Sequence, residues 1–141
     1  MQAREVDGIF EVRVPAAMSE AELTPIVVRL QKKFARRKAR AELDDADLEG
    51  RATELNRRYF DGRLRWRSVC WSTRQERRHG SCSPHQGTIR ISYNLAKVPR
   101  FVLDYVIMHE LAHLLEPNHG HAFWKLVNRY PKTERARGYL M

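Results

Sequence analysis

His109-Glu110-Leu111-Ala112-His113 places two imidazoles four residues apart with a carboxylate beside the first, and His119 follows six residues after the second. On a helix, positions four apart share one face at neighbouring turns, so His109 and His113 can reach a single metal ion together. Glu110 projects from the adjacent face, where it can take a proton from a zinc-bound water, the general-base role of this pattern in metallopeptidases. Three protein ligands would leave a fourth position open for water, as a catalytic rather than a structural zinc requires. His119 is one candidate for the third ligand; His121, Glu116 and Glu134 are the others. His119 occupies the third-histidine position of the pattern HExxHxxGxxH, but Glu116 stands where that pattern needs Gly, and no internal Met follows to make the accompanying turn.

The pattern acts only if a helix carries it. Phe101 to Met108 leads into it and Leu111 to Leu115 continues it, with no Gly or Pro before Pro117, so the sequence predicts a helix over 101–116. Val102, Val106, His109 and His113 form one stripe. Nearly every other position is apolar as well, which predicts a buried helix. Incidental histidines are a poor account of this stretch, because burying two imidazoles and a carboxylate is costly unless something satisfies them.

Four stretches together, Arg78-His-Gly-Ser-Cys82, Gly87 to Ser92, Asp104 to Leu114 and Asn118-His-Gly-His-Ala-Phe-Trp124, resemble the YgjP-like family of small zinc metallopeptidases, relatives of the SprT-like proteases. The resemblance covers roughly residues 50–130. It implies zinc, peptide hydrolysis, Glu110 as the catalytic base and His119, not His121, as third ligand beside His109 and His113. It also implies a sheet edge along the cleft that binds substrate as an added strand; Thr88 to Ser92 is nominated for that role. One departure is His79, where the family usually has Trp. SprT-like relatives include proteases that act on proteins crosslinked to DNA.

The remaining elements follow from patterning. Gly8 to Val14 alternates as a strand, and Ser19-Glu-Ala-Glu22 reads as a capping box opening a helix to about Arg40. A second helix is expected over 47–60, strands at Arg65 to Trp71 and Thr88 to Ser92 and near Arg77 to Ser81, a helix over 121–130, and a basic tail from Pro131. The sum is an α+β, zincin-like fold with helices packed on a small sheet. At 141 residues and 43% hydrophobic, the chain is expected to form one metallopeptidase domain, with residues 1–45 as an N-terminal strand and basic helix and 46–141 as the catalytic core.

Charge offers a second reading. The formal net charge is +9, and Arg29, Lys33, Arg36 and Arg40 form a stripe opposite Val27, Leu30 and Phe34. Such a stripe can follow a phosphate backbone, which makes a nucleic-acid-associated protein with a structural or vestigial metal site the alternative. A solvated face in an Arg-rich chain explains the stripe equally. No apolar run suggests a membrane span or signal peptide, which makes a cytoplasmic location the default expectation. Cys70 and Cys82 are too few for a disulfide framework; with His79 and His85 they raise the idea of a second zinc site, although their spacing matches no common finger.

Overall fold

The computed structural model describes residues 2–6, 9–41, 43–73 and 78–141. The chain divides into two compact units, Met1–Ala41 and Glu42–Met141. The first contains an antiparallel hairpin, β1 (Gln2–Val6) and β2 (Ile9–Arg13), followed by the helix α1 (Glu20–Ala41). Gly8, the start of the expected strand, lies outside the described residues. The capping box forms as its chemistry requires: the Glu22 N–H donates to Ser19 Oγ at 3.2 Å, and the Ser19 N–H donates to Glu22 Oε2 at 3.4 Å. Arg29 and Lys33 are exposed and Val27, Leu30 and Phe34 half-buried, as the amphipathic pattern demands. The side chain of Arg40 lies outside the described residues.

The second unit is helices on a small mixed sheet, an α+β arrangement. Its elements are α2 (Asp45–Phe60), β3 (Ser68–Ser72), β4 (Gly80–Ser83), β5 (Thr88–Ser92), a 3-10 turn (Tyr93–Lys97), α3 (Arg100–His113), α4 (His121–Val127) and α5 (Thr133–Leu140). Helix α2 starts earlier than expected because Asp44 caps it, accepting from the Ala46 N–H at 2.8 Å. Asp45 then accepts from the Trp71 N–H at 2.9 Å, which ties the helix start to β3. Asn56 clamps the far end: its amide bonds both the N–H and the C=O of Leu64, at 3.1 and 3.2 Å. That clamp and the turn at Asp61-Gly62 hold residues 63–67 out of the sheet, so β3 begins at Ser68 rather than Arg65.

The strand order is β3-β5-β4, with β5 parallel to β3 and antiparallel to β4. Strand β5 is therefore central, with both its edges paired, and Thr88 to Ser92 cannot add a substrate strand as expected. Among the described residues the unpaired edges of this sheet are those of β3 and β4.

Helix α3 is the axis of this unit, contacting α2, α4, α5, β4 and β5. Val102, Ile107, Met108, Leu111 and Ala112 on it are fully buried against Ile89, Ile91, Phe123 and Val127. The helix ends at His113, short of 116. Glu116 precedes a proline and is pushed from helical backbone, and the last turn tightens through Leu114 N–H to Leu111 O at 3.1 Å. The expected basic tail is instead α5, which begins at Thr133 and buries Ala136. Its register escaped the sequence reading because a short helix with a narrow apolar face has a weak period. No helix among the described residues is long and apolar enough to cross a membrane.

Candidate metal centre

One turn of α3 carries His109 and His113, and the reversal at Pro117-Asn118 returns the chain so that His119 meets them. One ligand atom from each of the three lies within 4.8 Å of the others, and they are the sole such group among the described residues. Phe123 on α4 holds the rings together. It is fully buried, stacks on His113 at 4.4 Å and meets His109 and His119 at 4.9 Å each. The motif resemblance contained this phenylalanine, but its role as the platform for three imidazoles emerges only in space.

Hydrogen bonds orient the rings. His113 Nδ1 lies 3.0 Å from the Glu116 carbonyl, which can only accept, so that nitrogen carries the proton and Nε2 presents a lone pair. His113 Nε2 and His119 Nε2 face each other at 2.9 Å. His109 Nδ1 lies 3.1 Å from Glu110 Oε1. Burial depresses the His113 pKa most, and the neighbouring imidazoles add to the effect against the Glu116 carbonyl and the Glu110 charge, so the ring favours its neutral, ligating form.

Glu110 is 3% exposed, and its Oε2 is a buried oxygen with no hydrogen-bond partner among the described residues. A carboxylate oxygen left so is costly unless a proton or cation meets it. Together with imidazole nitrogens aimed at one another, this donor set fits a divalent, nitrogen-preferring ion. The chain makes room for the carboxylate on purpose: a Cβ at Gly80 would come within 3.2 Å of Glu110 Cγ and 3.0 Å of the Arg90 carbonyl.

A cleft of about 710 Å³ opens over these groups. Its walls are the edge strand β4 with Arg78 and His79 before it, the α3 residues Tyr105, His109, Glu110 and His113, the Pro117–His119 reversal, and Arg137, Leu140 and Met141 of the C-terminal segment. His79 is exposed on the wall and outside the metal cluster. Cys82 lines the cleft with its thiol pushed up to about 11, by burial first and the Glu110 charge second, so it stays protonated near neutrality. The Cys70, His79, Cys82 and His85 set does not gather around a common point.

Several sequence candidates fall elsewhere. Among the described residues His121, Glu116 and Glu134 join no metal cluster; His121 belongs to a separate shallow pocket with Trp124 and Lys125. Of the other polar groups on these helices, Arg137 lines the cleft, Tyr139 packs edge-on against Phe101, Asp104 pairs with Arg51, Glu54 with Arg57, and Asn56 with Leu64.

Two comparisons bear on this geometry. The family model for the YgjP-like metallopeptidase domain matches residues 32–141. The metallopeptidase zymogen abylysin of Pyrococcus abyssi has a similar solved structure, with a TM-score of 0.52 at 22% identity over 62% of this chain and 83% of that one. No curated protein matches the chain in sequence.

Proposed function

The chain belongs to the YgjP-like metallopeptidase family, and on that premise we propose that Glu42–Met141 is a zinc-dependent peptidase unit with His109, His113 and His119 as ligands and Glu110 as general base. When bound, zinc supplies Lewis acidity, polarising a scissile carbonyl and bringing the pKa of water towards about 7. The residues do the rest. Glu116 and Glu110 hold the protons on His113 Nδ1 and His109 Nδ1, which leaves the Nε2 lone pairs for the ion. Glu110 divides its carboxylate between two tasks. Its Oε1 orients His109, while Oε2 takes the proton of the attacking water and returns it to the leaving amine.

The edge of β4 along the cleft is the strand that we assign to substrate, replacing β5. An extended peptide there would bond main chain to main chain with little regard for side chains. The carrying observation is the convergence of three imidazoles beside a buried carboxylate oxygen without a partner. The nucleic-acid reading gains no support from either comparison.

The test is Glu110→Gln. Peptide cleavage should fall by about a thousandfold, within the range for losing a general base, with metal content unchanged. Undiminished cleavage by that variant would end the mechanism.

A further inference from the structure

The charges around the cleft are unbalanced. Arg78 and Arg137 line it, against a single acidic side chain, Glu110. Glu110 is buried at the floor and engaged with His109, whereas both arginines are exposed on the walls. Among the described residues neither guanidinium has a carboxylate partner. By contrast, Arg51 bonds Asp104 and Arg57 bonds Glu54.

Arg137 is also held in place. Its guanidinium lies over the Trp124 ring, 4.4 Å from the centroid, and Trp124 packs 6.0 Å from His109. A guanidinium anchored on an aromatic ring keeps N–H groups to offer, and arginine's fork suits two parallel bonds to a carboxylate.

We propose that the cleft selects peptides bearing a carboxylate side chain, Asp or Glu, beside the scissile bond, with Arg137 as the residue that reads it and Arg78, just before β4, as a second positive group lining the cleft. This rests on the peptidase reading and names its substrate class. A peptide laid on the β4 edge is recognised through its backbone, which is indifferent to sequence. Arg137 supplies the discrimination the strand lacks, and a divalent ion in the floor adds to the same positive field.

The test uses zinc-loaded, full-length protein and peptides amidated at the C-terminus that differ only in Glu, Gln or Lys at each position flanking the bond. Wild-type protein is expected to show a kcat/KM about tenfold higher for Glu than for Gln at one flanking position, with Lys lowest. Arg137→Glu should reverse the order at that position, so that Lys becomes the preferred residue, an outcome a merely structural arginine would not produce. Equal rates for Glu and Gln at every position, or an order that survives in both Arg137→Glu and Arg78→Glu, would overturn the proposal. Binding of the same peptides to the Glu110→Gln protein separates the two readings. Preferential binding of the Glu peptide, weakened by salt, with no cleavage by wild-type protein would sustain the charge selection and refute the peptidase; cleavage without charge preference would do the reverse.

Discussion

Asp104 and Glu110 are two buried carboxylates on one helix, six residues apart and 6% and 3% exposed, yet the protein treats them in opposite ways. Asp104 is fully met: Arg51 Nε and Nη2 donate to its two oxygens at 3.0 and 2.5 Å, a bidentate pair that fastens α2 to α3. Glu110 has one oxygen on His109 and, among the described residues, no partner for the other. A buried charge that serves stability is paired, because desolvation otherwise outweighs what it contributes. One left half-satisfied in a cleft stores reactivity instead, and the same helix supplies both because one end faces α2 and the other faces the cleft.

The contrast can be broken at several points. The largest effect should be at the floor of the cleft: the Glu110→Gln variant that loses cleavage should melt no lower than wild type in the metal-free state, because it removes an unpaired buried charge. A clear drop in its melting temperature would place Glu110 with Asp104 as a structural acid. Next, His119→Ala should weaken zinc binding by about a hundredfold or more in competition with a chelator, while leaving far-UV circular dichroism intact, since His119 is exposed on a reversal. Full zinc retention by this variant would remove His119 from the ligand set.

Asp104→Ala should act the other way round. It leaves Arg51 without its partner and should cost about 2 to 3 kcal/mol in denaturant unfolding, towards the low end for a buried pair because Arg51 is 27% exposed. Its zinc affinity should stay at the wild-type level, and a large loss of metal would erase the distinction between the two ends of α3. The smallest effect is expected from Gly80→Ala. The added methyl meets the Arg90 carbonyl at 3.0 Å and Glu110 Cγ at 3.2 Å, so both must give, and cleavage should fall about tenfold with zinc still bound. Wild-type turnover would show that the close approach of β4 does not position the carboxylate.

Much of this was readable along the chain, and for identifiable reasons. The HELAH stretch, the apolar run around it and the capping box at Ser19 depend on contacts between residues three or four apart, which helical geometry dictates without reference to the rest of the molecule. The two-sided burial of α3 follows from its lack of a polar face. Boundaries slipped where distant groups intervene: Asp44 and Asp45 reach to Trp71, and Asn56 reaches to Leu64.

The chain by itself determined the α+β class and the helix bearing His109, Glu110 and His113, because local periodicity and spacing carry those, and its motif stretches carry the resemblance to the family. Only tertiary structure decided that β5 is central and β4 an edge strand, since strand order depends on pairings between segments that no local pattern encodes. It also decided that residues after Pro131 fold as α5 and bring Arg137 over Trp124 into the cleft wall, and that Asp104 finds Arg51 while Glu110 Oε2 finds nothing. A carboxylate's role is set by what surrounds it, and its surroundings are assembled from the whole fold.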